Sequence, residues 1–216
     1  MNPALRKAYL QAMQIEAWAP RAASTGTTGV ATADWAELER MVASCRRCVL
    51  CESRNRTVFG IGDRHAAWVV VGEAPGADED RQGEPFVGRA GQMLNAMLRA
   101  IGLRREQVFI ANVLKCRPPG NRAPLAGEAA ECLPYLARQI ALVRPRILLV
   151  VGRIAAQNLL ATDVPLASLR GRVHHAGGAG PPIVVTYHPS YLLRTPADKR
   201  KAWQDLQFAR AVAARG

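Results

Sequence analysis

The sequence lacks any apolar run long enough to cross a lipid bilayer, and it contains no internal repeat. Its first 20 residues also lack the continuous apolar core of a secretory signal. We therefore expect a cytoplasmic protein with no membrane partner, and in a prokaryote one that associates with the nucleoid.

Acidic residues are scarce, since 17 Asp and Glu stand against 29 Lys and Arg, for a formal net charge of +12. Such a surplus favours a polyanionic partner, because Lys and Arg neutralise phosphates and release their counterions. An Arg-rich, Ala-rich composition inherited from a GC-rich genome would give the same surplus. Charge alone therefore says nothing about which chemistry is done.

The length predicts one main domain with an appendage. The chain has 216 residues and is 49% hydrophobic, which is enough for one α/β domain with a substantial core. Residues 3–18 have the spacing of a short amphipathic helix, and residues 20–33 are rich in small residues, as in a flexible linker. We therefore divide the chain into an N-terminal helix and linker over 1–33 and a domain over 34–216, and we expect a monomer.

Apolar runs alternate with helical patterns along the main domain. Strands are predicted at 67–71, 108–111, 146–151 and 183–186, and helices at 35–43, 91–100, 127–142, 154–160 and 197–214. Strands that are apolar on both faces and alternate with helices predict a central parallel sheet covered on each side.

Polar segments follow three of these strands. The first strand leads into Gly72-Glu73-Ala74-Pro75-Gly76, the second into Asn112, and the fourth into His188. Open parallel sheets bind ligands outside the carboxyl ends of their strands, so these segments should converge on one pocket.

Three side chains near that pocket are candidates for ligand contacts. Phe86 lies between Pro85 and a helix start, so its ring is either presented to a ligand or packed in the core. Asn112 can both donate and accept hydrogen bonds. His188 is a candidate electrophile, although a lone histidine is more often structural.

Five cysteines in a cytosolic chain favour metal binding over disulfides. Cys45 and Cys48 form a C-x2-C pair, and Cys116 and Cys132 can complete a set of four thiolates. Four thiolates suit zinc or an iron–sulfur cluster, and unrelated buried thiols are the third option. Cys51 extends the first pair to C-x2-C-x2-C, and we interpret it as a bystander.

Four motifs together identify a family. GEAPG at 72–76, GEPFVGRAG at 83–91, NVLKCRPPGNR at 112–122 and HPSYLLR at 188–194 occur in that order. Between about Cys45 and Arg194 the sequence closely resembles the family 4 uracil-DNA glycosylases, the iron–sulfur branch of their superfamily. The resemblance implies an α/β/α sandwich with a four-stranded parallel sheet. It also implies a structural 4Fe–4S cluster on Cys45, Cys48, Cys116 and Cys132.

The resemblance implies hydrolysis of the N-glycosidic bond of uracil flipped out of single- or double-stranded DNA, the first step of base excision repair. Phe86 would stack on the ring and Asn112 would pair with its O4 and N3–H edge. His188, helped by backbone N–H groups of Glu73 and Ala74, would stabilise the charge on O2.

The remaining predicted roles concern water and phosphate. Glu73, Glu79 and Asn121 are candidates to orient the attacking water, and Glu79 with Asp80 has the alternative role of capping a helix. The candidate phosphate contacts are Arg117, Arg122, Arg170, Arg172 and Arg194.

Three rival functions make different predictions. A sibling that traps itself on DNA carries a histidine after the second strand, where this chain reads CRPPGNRAP at 116–124. A zinc- or cluster-stabilised nucleic-acid-binding module without glycosylase activity would be colourless if it held zinc. An electron carrier would have closely spaced cysteines, and it would leave Phe86, Asn112 and His188 unexplained.

Overall fold

The computed structural model describes residues 27–177 and 180–215. The predicted helix at residues 3–18 lies outside these ranges. The helices are α1 (Thr27–Thr32), α2 (Trp35–Ala43), α3 (Leu50–Ser53), α4 (Ala77–Gln82), α5 (Arg89–Ala100), α6 (Ala126–Val143), α7 (Arg153–Leu160), α8 (Leu166–Leu169), α9 (Pro189–Arg194) and α10 (Lys199–Ala213). The strands are β1 (Ile61–Gly62), β2 (Trp68–Gly72), β3 (Phe109–Asn112), β4 (Ile147–Val151), β5 (Val173–His174) and β6 (Ile183–Thr186).

The strands of the described chain form one sheet in the order β1-β3-β2-β4-β6-β5. Its four central strands, β3, β2, β4 and β6, are parallel, and they are the four strands that the sequence predicts. The two outer strands pair antiparallel with β3 and β6 and are two residues long. The predicted four-stranded parallel sheet is therefore confirmed as the core of a mixed sheet.

Alternate residues of the central strands pack on opposite faces of the sheet. Val70 and Leu149 belong to a core formed with α5 and α10, whereas Val71 and Val150 belong to a core formed with α6 and α7. This alternation follows from the two-residue repeat of a strand. The three-layer α/β/α architecture is confirmed.

The predicted linker over residues 20–33 is wrong in its described part. Thr27–Thr32 is helical, and Val30 and Ala33 are buried in a third apolar cluster with the cysteines and α6. The guanidinium of Arg138 also donates to the carbonyl oxygens of Thr32 and Ala33, at 3.2 and 2.7 Å. Small residues therefore form a helix here because packing on α6 stabilises it. The domain division at 33/34 stays a prediction.

No helix within the described ranges combines the length and the apolar character that a bilayer crossing needs.

Candidate active site and thiol cavity

A cleft of about 510 Å³ lies at the carboxyl ends of β2, β3 and β6. The predicted pocket residues meet there, as the parallel topology requires. The side chains and backbone that line it are those of Glu73, Ala74, Pro75, Gly76, Glu79, Phe86, Ala90, Asn112, Pro118, Asn121, Arg122, His188, Ser190, Tyr191 and Arg194.

The last residue of β2 has to be glycine for this cleft to form. A Cβ at Gly72 would lie 2.3 Å from Asn112 Oδ1 and 2.7 Å from Phe86 Cζ. Real Cβ atoms do not approach other atoms so closely. The bare backbone of Gly72 therefore lets the amide and the ring reach the same strand end.

Phe86 forms a wall of the cleft and is also part of the core. Its side chain is only 7% exposed, and its ring centroid lies 5.8 Å from that of His188, with 31° between the planes. Its φ of 54° is unusual for a residue with a side chain. Arg105 donates hydrogen bonds to the carbonyl oxygens of Pro85 and Phe86, which holds this backbone in place.

Asn112 ends β3 with a buried amide that has an unpaired oxygen. The residue is 2% exposed, and its Oδ1 has no hydrogen-bond partner. Because buried amide oxygens are nearly always paired, an unpaired one beside a cleft indicates a ligand that donates to it. The following residue, Val113, donates from its backbone N–H to the Gly72 carbonyl at 2.9 Å and keeps the two strand ends together.

The contacts of His188 determine its tautomer. Nδ1 accepts from the Ser190 backbone N–H at 3.2 Å and lies 2.8 Å from Ser190 Oγ. Burial first, and the charge of Arg194 second, lower the pKa of His188 to about 4. The imidazole is therefore neutral at physiological pH, with its proton on Nε2, where it can act as a donor.

Glu73, in the turn after β2, and Glu79, in helix α4, differ in their contacts. Burial raises the pKa of Glu73, an effect that nearby Arg153 opposes. The Glu79 carboxylate accepts from the backbone N–H groups of Gly76, Val87 and Gly88, at 3.1, 3.0 and 3.3 Å. Both Glu79 oxygens are thus engaged, and the structure favours the alternative capping role over the predicted water-orienting role.

Four of the five predicted phosphate contacts lie at the cleft, on an exposed loop or near the sheet edge. Arg194 lies exposed at the cleft, Arg172 is exposed near the sheet edge, and Arg117 donates to Asn121 Oδ1 at 2.8 Å on the exposed loop. Arg122 lines the cleft and also forms a fork with the Glu128 carboxylate, with N–O distances of 2.9 and 2.6 Å.

Arg170 is a correction to the predicted set. Its guanidinium pairs with both oxygens of the buried Asp205, at 2.7 and 3.0 Å, and donates to the Tyr187 hydroxyl. An arginine committed in this way joins α10 to the end of β6 and has no free edge for a phosphate.

All five cysteines line a second cavity, between the segment before α3 and helix α6. Arg54 Nη1 donates to Cys116 Sγ at 3.1 Å, and the Lys115 backbone N–H donates to Cys132 Sγ at 3.2 Å. Burial raises the pKa of the Cys132 thiol to about 12. Cys51, which we predicted to be a bystander, also borders the cavity and therefore lies near the other thiols. Within residues 27–177 and 180–215, no three His, Cys, Asp or Glu side chains are placed to hold a single metal ion.

Sequence reasoning assigned no role to Lys115, although the motif contains it. Its side chain is 1% exposed, and Nζ donates to Asn112 O and to Gln139 Oε1. Burial lowers the pKa of Lys115 to about 8, and the neighbouring Cys132 and Cys116 oppose this shift. From the sequence, a lysine in a motif indicates only a positive charge. Its hydrogen-bond partners cannot be predicted, because they depend on how the chain folds.

Comparison with known proteins agrees with the site. The family model of the Uracil DNA glycosylase superfamily matches residues 59–207. A type-4 uracil-DNA glycosylase of Archaeoglobus fulgidus is 44% identical over 166 residues, which cover 74% of this chain and 83% of the relative. Type-4 uracil-DNA glycosylases of Pyrobaculum aerophilum and Thermotoga maritima are 40% and 39% identical, covering 80% and 79% of this chain and 91% and 90% of the relatives.

Proposed function

Because this chain belongs to the Uracil DNA glycosylase superfamily, and within it resembles the type-4 enzymes, we propose that its cleft hydrolyses the N-glycosidic bond of uracil in DNA. The resemblance to this family that the motifs indicate is confirmed, and the activity is that of a uracil-DNA glycosylase, a hydrolase of N-glycosyl compounds. The comparisons give no support to a binding module without activity.

The unpaired Asn112 Oδ1 is the observation that carries the assignment of the site. Uracil offers an N3–H donor beside its O4 acceptor, so it satisfies both ends of an amide. Cytosine has an unprotonated N3 and an amino group, and it leaves Oδ1 facing a lone pair. A buried amide whose hydrogen bonds only uracil satisfies therefore discriminates uracil from cytosine.

Phe86 and His188 complete the contacts with the everted base. The Phe86 ring forms the cleft wall on which a flat pyrimidine stacks. The neutral His188 donates from Nε2 to uracil O2, where negative charge develops as the bond to the sugar breaks. Backbone N–H groups of Glu73 and Ala74, which also line the cleft, assist it.

Water then adds to the sugar carbon. Glu73 lines the cleft, and we assign to it the orientation of this water, with Asn121 at the exposed rim as a second candidate. Glu79 acts one step away, by holding the turn that carries Glu73.

DNA reaches the cleft along its basic rim. We assign phosphate contacts to Arg117, Arg122, Arg172 and Arg194, in keeping with the net charge of +12. We propose that the enzyme acts as a monomer.

The thiol cavity fits an iron–sulfur cluster held by Cys45, Cys48, Cys116 and Cys132. Each of the four cysteines would bind its own iron, so the four thiols would not have to converge on one point as the ligands of a zinc ion must. The N–H donors at Cys116 and Cys132 are of the kind that stabilise thiolate ligands. When bound, the cluster supplies a cross-link between the segment before α3, the loop after β3 and helix α6.

Visible absorbance with iron and sulfide analysis tests the cluster. We expect a brown protein, whose colour Cys132→Ala removes and Cys51→Ala retains as the matched control. A colourless protein containing zinc would contradict the cluster.

An oligonucleotide containing one uracil tests the function. The protein should create an alkali-labile site at the uracil, and Asn112→Ala should reduce the rate severely while the brown colour remains. Intact strands beside a cleaved control with a known glycosylase would defeat the assignment.

A further inference from the structure

Lys115 lines the thiol cavity and also contacts Asn112, one of the residues that line the cleft. Its backbone N–H donates to Cys132 Sγ at 3.2 Å, on the cavity side. Its Nζ donates to the backbone oxygen of Asn112, the cleft residue that ends β3, at 2.9 Å. The same Nζ donates to Gln139 Oε1 at 2.7 Å.

The polar groups of Lys115 are all engaged within the fold. Its carbonyl accepts from the Val58 backbone N–H at 2.8 Å. Gln139 in turn donates to the Phe59 carbonyl at 2.9 Å, so the partner of Nζ is itself held. The ammonium is therefore fixed at a single place rather than swinging on a flexible stem.

The position of this ammonium matters because Asn112 ends β3. The chain leaves the parallel ladder there, and the peptide after Asn112 is held on one side by the Val113 N–H bond to Gly72 and on the other by Nζ. The Asn112 amide has to meet a planar base edge, and small displacements at such contacts reduce rates steeply.

A buried lysine is otherwise an expensive choice for this place. Both oxygens that accept from Nζ are neutral, and burying a cation without a negative partner is unfavourable. A neutral side chain would fill the space with no such cost, which indicates a role beyond packing.

We propose that Lys115 is a positioning residue for uracil recognition, whose ammonium holds the Asn112 peptide so that the Asn112 amide faces the base. This inference rests on the proposed function of the cleft. It assigns no contact between Lys115 and the substrate.

A double-mutant cycle tests whether Lys115 acts through Asn112. Single-turnover rates on a uracil oligonucleotide are measured for Lys115→Met, for Asn112→Ala and for the double variant of the full-length protein. We expect Lys115→Met to slow uracil release by about 10- to 100-fold, the loss typical of one hydrogen bond to a charged group. In the Asn112→Ala background the same change should have no further effect, since two residues that act together are not additive.

The controls separate positioning from folding. Lys199→Met makes the same chemical change on the exposed start of α10 and should leave the rate unchanged. Visible absorbance and affinity for a uracil-free oligonucleotide should be equal in Lys115→Met and wild type. If Lys115→Met does not fold, Gln139→Met replaces it in the cycle, because it removes one partner of Nζ and retains the ammonium.

The outcomes are distinct. A wild-type rate in Lys115→Met overturns the positioning role, and so do losses that multiply in the double variant. In both cases the proposed function stands as long as the wild-type protein releases uracil. Wild-type protein that releases no uracil overturns the proposed function, and with it this inference.

Discussion

A single residue at the end of β2 decides whether the cleft is open. Gly72 and Gly127 make a matched pair, because a Cβ at Gly72 would collide with Asn112 and Phe86, whereas a Cβ at Gly127 meets nothing within 4 Å. Both are glycines without a positive φ, so the difference between them is space alone.

Gly72→Ala should therefore reduce uracil release by about 100-fold, because it displaces the amide and the ring together. Gly127→Ala should retain activity and raise the free energy of unfolding by about 0.5 kcal/mol, since alanine favours a helix. Single-turnover rates and urea unfolding measure both. Equal activity of the two variants would show that the cleft tolerates the methyl group.

The neutral state of His188 has a consequence for stability. In the unfolded chain this histidine gains a proton near pH 6.5, but in the folded protein only near pH 4. Between these values the unfolded state binds more protons, so stability is lost as pH falls.

We therefore expect the free energy of unfolding of wild type to fall relative to that of His188→Gln between pH 7 and pH 4, by on the order of 2–3 kcal/mol. Urea unfolding at several pH values measures the difference. Parallel curves for the two proteins would mean that His188 titrates as an ordinary histidine.

Short elements hold these side chains. Helix α4 has six residues, and its Glu79 carboxylate joins its own first turn to the start of α5. The segment between the two helices carries Phe86. The Glu79 side chain therefore sets the distance between Phe86 and the turn that contains Glu73.

Glu79→Gln should lower the free energy of unfolding by about 1–3 kcal/mol, because an amide cannot accept from all three backbone N–H groups. Glu84→Gln, at an exposed site of the same segment, should have no effect. A large loss of kcat in Glu79→Gln with unchanged unfolding would contradict the capping role and favour a chemical one.

The proposed contacts with DNA concern the whole molecule, whose formal net charge is +12. Arg194 borders the cleft, whereas Arg99 is exposed near the end of α5, the helix whose Ala90 lines the cleft. Arg99 lies nine positions after Ala90 along the helix, which corresponds to a rise of about 13 Å.

Arg194→Gln should reduce the slope of log affinity against log salt concentration by about 1, because one phosphate contact is lost. Arg99→Gln removes the same charge and should leave the slope unchanged. Fluorescence anisotropy with a uracil-free oligonucleotide at several salt concentrations measures both slopes, and equal changes would show a general field instead of a local contact.

The long apolar strands and the four contiguous motifs were predictable because the patterns that indicate them lie among neighbouring residues. The four central strands lie within one residue of their predicted bounds, since β-branched runs such as 147–151 are apolar on both faces. Elements such as β1, β5 and α4 are too short for a periodic pattern. Helix α1 consists of small residues, and its stability comes from its burial against α6.

By itself, the sequence determined the fold class, the family and the set of residues that meet at the carboxyl ends of the strands. It did so because strand and helix periodicity and contiguous motifs are properties of neighbouring residues. Only the tertiary structure decided which charged groups are free for DNA or substrate. Arg170 is engaged by Asp205, 35 positions away, and Lys115 by Gln139, 24 positions away. Partners at such separations are brought together by packing, and no local pattern encodes them.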